Sequence, residues 1–147
     1  LLSGGDSGRL YRHLVKERRL LSSVNAYVTG DLDPGLFVFT GQLLPGVAPE
    51  AAEAAFREEI EALRTDPISQ YETEKVKNKF EANTLFGELN VMNKAMNLGF
   101  YEMLGDLPLI NGEVARYRAV SDEDIRAFCR STLRPENAST LIYKARK

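Results

Sequence analysis

The segment that decides the fold is residues 22–43, SSVNAYVTGDLDPGLFVFTGQL. Its first part, Ser22–Val28, alternates in polarity as a β-strand does, and its last part, Leu36–Leu43, is apolar and aromatic as a second strand would be. Between them, Gly30–Gly35 has the composition of a turn. Because no crossover helix fits between the two strands, the sequence predicts an antiparallel pair.

Helices are predicted on both sides of this hairpin. The first is capped by Asp6 or Ser7, ends near Arg19 and has a strongly basic outer face. The second begins at Pro49, because proline suits the first helical turn. Apolar residues recur along it at spacings of four, four and three, which predicts a buried stripe of Ala52, Phe56, Ile60 and Leu63.

A long helical stretch is predicted for the second half of the chain. It opens at a capping box formed by Ser69 and Glu72 and continues to about Leu104, with a kink or division at Gly87 or Gly99. Three methionines at helical spacing fall within it, and we interpret them as core residues: Met92, Met96 and Met103.

Two short helices and a strand are predicted to close the chain. The helices cover residues 113–119 and the segment from a second capping box, Ser121–Asp124, to about Leu133. The strand, Ser139–Lys144, is expected to return to the hairpin. The order strand, strand, helices, strand predicts an α+β fold, an antiparallel sheet with helices packed on one face.

Composition is that of one globular domain over residues 1–147. The chain has 19 Lys plus Arg and 21 Asp plus Glu, a net charge of −2, so a dedicated nucleic-acid-binding surface is not expected. No apolar run approaches the roughly 20 residues of a membrane span. The first residues have no signal-peptide pattern, and they leave the cellular compartment open.

Single histidine and cysteine residues exclude several kinds of active site. A helical zinc site needs two imidazoles one turn apart, and His13 with Glu17 is too weak a pair, so His13 is expected at the surface. No Gly-x-Ser-x-Gly elbow accompanies His13. Cys129 has apolar neighbours and is predicted to be a buried structural thiol.

Four basic side chains lie close together on the first helix: Arg12, Lys16, Arg18 and Arg19. They would suit an acidic partner, but Glu17 is interspersed among them and their position near the helix C-terminus suits its dipole. A solvated helix face is therefore the interpretation that we favour.

Six phrases, in order along the chain, resemble the carboxy-terminal half of a domain from the pitrilysin/insulinase family of zinc metallopeptidases. In the first phrase, Gly8 stands where the family usually has serine. The phrases are Gly4–Tyr11, Leu14–Leu21, Asp33–Phe37, Glu72–Asn78, Val120–Ile125 and Leu133–Asn137.

This resemblance implies a fold and a set of partners. Family members have α+β domains of the mitochondrial processing peptidase/LuxS-like type, which pair into two bowl-like halves around a closed chamber where peptides are cut. Their zinc lies in one domain on an inverted His-x-x-Glu-His motif, which this chain lacks. The resemblance therefore implies a non-catalytic domain with no zinc of its own, whose partners are a zinc-bearing homologous domain and the peptide substrate.

In active family members, a facing domain also supplies an Arg and a Tyr, seven residues apart, that bind substrate and stabilise the transition state. Val15 and Ser22 occupy these two positions here, and neither offers a comparable donor. A shifted register, Arg19 with Tyr27, has the wrong spacing. The resemblance leaves three residues as possible substrate or domain contacts: Arg9, Tyr11 and Tyr27.

Family members carry a strand and a helix before the glycine-rich loop, so Leu1 and Leu2 would correspond to the end of that helix. The resemblance thus predicts an incomplete sheet whose open edge is covered by a neighbour. Two other functions stay open at this point: a scaffold subunit of the same fold without peptidase activity in its assembly, and an unrelated ligand-binding domain.

Overall fold

In the computed structural model, two antiparallel strands accompany five α-helices among the described residues, 1–30 and 33–144, which confirms the predicted α+β class. By their contacts these residues form two units. One comprises residues 1–67 with those from 126 onward, and the other comprises residues 68–125. The interpretation of residues 1–147 as a single domain stays a prediction.

The sheet is the hairpin predicted from residues 22–43. Strand β1 is Leu21–Val28 and β2 is Phe37–Leu43, paired in register from Val28 opposite Phe37, with an irregularity between Leu21 and Ser23. The Thr29 amide donates to the Leu36 carbonyl at 3.0 Å, which closes the hairpin. Asp31 and Leu32 of the predicted turn lie outside the described residues.

The first helix differs from the prediction in its start and in its type. It is a π-helix, Tyr11–Glu17, with an Arg18 amide to His13 carbonyl bond of 2.9 Å that spans five residues. It cannot begin at Asp6 or Ser7, because the Gly8 amide instead bonds the Gly5 carbonyl and closes a tight loop.

Helix α1, Pro49–Thr65, completes the core of the first unit. Its predicted stripe is only partly right: Ala52 and Leu63 are buried, but Ala55 and Glu59 replace Phe56 and Ile60, which are half-buried. The fully buried side chains around it are Leu10, Leu14, Leu21 and Leu63.

The second unit is helical. Helix α2 is Gln70–Glu88, α3 is Val91–Met103 and α4 is Leu109–Ala119. The predicted long helix divides at Asn90, whose side chain accepts from the amides of Met92 and Asn93 and so caps α3. Phe80 of α2 stacks on Tyr117 of α4, with ring centroids 3.6 Å apart.

The prediction that the three methionines form a core was wrong. Met92, Met96 and Met103 are 67%, 64% and 71% exposed, and no described residue of α2, α3 or α4 is buried. Helical spacing identifies a common face of a helix, but it does not tell what covers that face.

Both capping boxes are confirmed. The Glu72 amide donates to the Ser69 hydroxyl at 3.2 Å, and the Asp124 amide donates to the Ser121 hydroxyl at 3.2 Å. The second box opens helix α5, Asp122–Thr132. Its C-terminal half belongs to the first unit, where the Phe128 and Phe37 rings lie 6.1 Å apart.

The predicted closing strand, Ser139–Lys144, is not present. The sheet has two strands among the described residues, and this segment forms no backbone hydrogen bonds with either of them. The Leu141 and Tyr143 side chains are each 94% exposed, as expected for strand-like residues that have no sheet to join.

Candidate functional site

The two positions implied by the family resemblance lie on adjacent elements of the first unit. Val15 is half-buried on the π-helix, and Ser22 is exposed near the start of β1. The Ser22 hydroxyl donates to the Gln42 carbonyl of β2 at 3.2 Å. Neither side chain carries a cationic or phenolic donor for an oxyanion.

A residue with strained backbone lies just after the π-helix. Arg19 has φ 51°, in the left-handed region that favours glycine. The Leu20 amide reaches back to the Leu14 carbonyl at 2.9 Å, so this conformation closes the helix and sends the chain into β1.

His13 is held between two charged side chains. Its Nδ1 lies 2.6 Å from Glu59 Oε1, and its Nε2 lies 2.7 Å from Arg12 Nη2. A guanidinium only donates, so Nε2 accepts and the ring proton lies on Nδ1, from which it is donated to Glu59. The expectation of a surface histidine was wrong, because this side chain is only 24% exposed.

Glu59 is the residue of this site that sequence reasoning missed. It is 7% exposed, the one buried charged residue among those that the structure describes. The available signal was its position four residues after Ala55 and four before Leu63, because an acid at that spacing lies on the buried face of α1.

These groups do not form a metal site. Both His13 ring nitrogens are engaged, and the described residues contain no cluster of three or more His, Cys, Asp or Glu that could hold an ion. These groups therefore do not provide the three or four converging ligands that zinc requires.

The basic cluster is exposed, as the solvated interpretation predicted, and it is largely paired within the unit. Arg18 pairs with Glu58 of α1, Arg12 Nε lies 3.6 Å from Glu17 Oε1, and Lys16 Nζ lies 5.4 Å from the centre of the Tyr11 ring. The two ion pairs neutralise part of the charge that an acidic partner would need.

The other possible contact residues are distributed over the same unit. Arg9 and Tyr11 are half-buried beside and within the π-helix, while Tyr27 is 46% exposed on β1, opposite Val38. Tyr11 and Tyr27 do not pair with each other among the ring contacts of the described residues. The structure thus brings Tyr11 close to Lys16 but leaves Tyr27 separate.

Beside this group, the loop before the π-helix approaches β1. The Ser3 hydroxyl donates to the Asn25 side-chain oxygen at 2.6 Å, and the same oxygen accepts the Ala26 amide at 2.9 Å. Strand β1 pairs with β2 on one side only, within the part of the chain that is described.

Cys129 is a buried structural thiol, as predicted. It is 3% exposed, and burial raises the pKa of its thiol, partly offset by the charges of Arg64 and Arg130. A nucleophilic cysteine needs the opposite change, a lowered pKa. Among the described helices, none is long and apolar enough to span a membrane.

Comparison with known sequences identifies similar proteins. A family model described as the peptidase M16 inactive domain matches residues 1–80, more than half of the 147-residue chain. An uncharacterized zinc protease of Streptomyces coelicolor is 27% identical over 134 residues, which cover 90% of this chain and 29% of that protein. The chain therefore spans less than a third of this curated relative.

Solved structures agree with these matches. The inactive peptidase domain of a candidate zinc protease from Bordetella parapertussis has a TM-score of 0.81 at 29% identity, covering 92% of this chain and 74% of that chain. A protease from Helicobacter pylori has a TM-score of 0.83 at 22% identity, covering 89% and 32%, and shows the fold alone. The predicted likeness to a non-catalytic domain of zinc metallopeptidases is confirmed.

Proposed function

Because the chain belongs to the peptidase M16 inactive domain family, we propose that it is a non-catalytic, chamber-forming domain of a zinc-dependent metalloendopeptidase that degrades or processes peptides. The zinc belongs to another domain of the parent protein, and this domain walls the chamber and docks that zinc-bearing homologue. The observation that carries the proposal is the family match together with Val15 and Ser22 at the two functional positions.

The engagement of His13 supports a non-catalytic role. Its Nδ1 binds Glu59 and its Nε2 accepts from Arg12, so neither nitrogen is available to a substrate or a metal without breaking a hydrogen bond. The group that looks most reactive in the sequence therefore holds the π-helix to α1.

In this proposal the domain contributes contacts to a peptide or to the neighbouring domain, and it contributes no catalytic group. An extended peptide can add to the outer edge of β1, because backbone hydrogen bonds make such pairing tolerant of sequence. Tyr27 lies on this strand, Tyr11 lies on the π-helix and Arg9 lies just before that helix. We assign these side chains to contacts with a peptide or the neighbouring domain.

The alternative is a structural subunit of the same fold with no peptidase in its assembly. The absence of the Arg and Tyr donors favours this possibility as much as it favours the inactive half of an enzyme. The two differ in one respect: only the first requires a zinc-bearing partner domain.

The test compares this chain with the full-length natural gene product. Hydrolysis of an unstructured fluorogenic peptide, with and without a chelator, is measured beside zinc content by mass spectrometry. We expect chelator-sensitive cleavage and about one zinc in the long form, and neither in this chain. A long form without zinc or cleavage would favour the scaffold function, and stoichiometric zinc in this chain would overturn both.

A matched variant distinguishes a structural role of His13 from a role in binding zinc. His13→Asn in the full-length product keeps a side-chain donor for Glu59, so zinc content and cleavage should stay at the wild-type level. Loss of zinc in this variant, with the fold intact by circular dichroism, would contradict the purely structural role of His13.

A further inference from the structure

Helix α3 carries an apolar stripe that faces solvent. Met92, Met96 and Met103 are each about two-thirds exposed, and they share one side of the helix with Gly99. We refer to these four residues as the methionine stripe. Phe100 flanks it and is 46% exposed.

The opposite side of α3 is turned toward α4, so the stripe points away from the unit. Lys94 and Leu98 line a shallow cleft with Leu107, Pro108 and Ile110. Tyr101, on the same side as Lys94 and Leu98, bonds Glu113 of α4. At 3.6 residues per turn, the methionine stripe lies about half a turn around from these residues.

Spacing within the stripe fits a helix partner. Its positions follow one another at intervals of four, three and four residues, which is the seam of a helix that packs along another helix. No heavy atom of the described residues, outside the helix backbone, lies within 4 Å of where a Cβ would stand on Gly99. A glycine at such a place leaves room for a bulky side chain from a partner.

We propose that the methionine stripe binds the same stripe of a second copy of this chain, with the two α3 helices antiparallel. Met92 lies four residues before Met96, and Met103 lies four after Gly99. A two-fold axis between Met96 and Gly99 therefore sets Met96 of each copy into the space over Gly99 of the other, and Met92 against Met103. Isologous interfaces require this kind of self-complementarity.

The charges next to the stripe allow this pairing. One flank carries Asn93 and Phe100, and the other carries Ala95 and Glu102. In the antiparallel arrangement Glu102 of one helix lies near Ala95 of the other, so no like charges oppose each other.

The exposed area sets the strength of the contact. Three methionines and Phe100 present on the order of 500 Å² per copy, which is as much as the largest apolar patch of an ordinary monomer. Two copies would bury about 1,000 Å², at the low end for a specific interface. The dimer is therefore weak, and it forms in the micromolar range or above.

Sedimentation velocity over a concentration series, from low micromolar to near millimolar, tests this inference. The mass should rise from 16.4 kDa toward twice that value. Met96→Glu places charges in the centre of the interface, and Gly99→Leu fills the space for Met96, so each should raise the dissociation constant about tenfold or more.

Val91→Glu is the matched control, because Val91 is 83% exposed and lies about a third of a turn around the same helix from the stripe. It should leave the dimer unchanged, and circular dichroism with urea unfolding verifies that each variant folds. A chain that stays at 16.4 kDa throughout, an association that survives Met96→Glu and Gly99→Leu, or one that Val91→Glu weakens equally would overturn the proposal.

Discussion

His13 donates its Nδ1 proton to Glu59 across 2.6 Å, and this single bond joins the π-helix to a carboxylate that is 7% exposed on α1. Arg12 holds the other ring nitrogen. This contact is therefore a fixed structural link, and its energy can be measured by removing one partner at a time.

Replacing His13 by alanine should lower the free energy of unfolding by about 2 kcal/mol, because it leaves a nearly buried carboxylate without its donor. His13→Asn keeps a donor and should cost less. Urea unfolding measures both. The control is Arg18→Ala, which breaks the exposed pair with Glu58 and should cost at most about 0.5 kcal/mol. Equal losses for His13→Ala and Arg18→Ala would contradict a special role for the buried link.

Arg19→Gly should stabilise the protein by about 0.5–1 kcal/mol, because Arg19 has φ 51° and glycine adopts this conformation without steric cost. Arg18→Gly is the matched control. Arg18 is right-handed helical, with φ −84°, so glycine there should destabilise. Thermal melts of the two variants, run side by side, should shift in opposite directions.

Ser121→Ala should cost about 1 kcal/mol, because the hydroxyl caps α5 through the Asp124 amide. Hydrogen bonds from the Ser121 side chain and backbone lower the pKa of Asp124, so their stabilisation is present above the unfolded carboxyl pKa and is lost as pH falls through the folded one. The cost of the substitution should therefore shrink in acid. Urea unfolding at neutral and acidic pH measures this, and a cost independent of pH would count against the bond that the Ser121 hydroxyl donates to the Asp124 carboxylate.

Cys129 should react slowly with thiol reagents in the native protein and at the normal rate in urea, because burial both covers the thiol and raises its pKa.

The raised pKa of Cys129 should also make the free energy of unfolding decrease as the pH rises into the alkaline range. Above the ordinary thiol pKa the unfolded chain releases a proton that the folded chain keeps, so unfolding becomes easier. Cys129→Ser removes this ionisation, and its stability curve should be flatter between neutral pH and alkali. An alkaline decline of the same size in both proteins would assign it to other groups.

Local patterns in the sequence were sufficient for the elements that depend on neighbours in the chain. Polarity alternation identified β1, an apolar and aromatic run identified β2, and the serines at 69 and 121 marked the starts of α2 and α5. Such signals act within a few residues, so a single sequence contains all of the information that they need.

The features that the sequence did not predict correctly depend on contacts between distant segments of the chain. The bond from His13 to Glu59 crosses 46 residues. The position of Glu59 on the buried face of α1 can be read from its spacing, but no local pattern indicates that its partner is His13. Ser139–Lys144 has the composition of a strand, but a strand also needs a neighbour with free backbone groups. The methionine stripe has the same character: periodicity places these residues on one side of α3, but whether that side is buried within the unit depends on segments distant in the chain.

Position 8 has no room for a residue larger than glycine unless its neighbours move. A Cβ built on it would lie 2.7 Å from the Leu2 carbonyl oxygen and 2.9 Å from the Gly4 amide nitrogen. A substitution by serine or alanine should therefore require the loop that carries Leu2 and Gly4 to open, so this tight loop depends on glycine at its closing position.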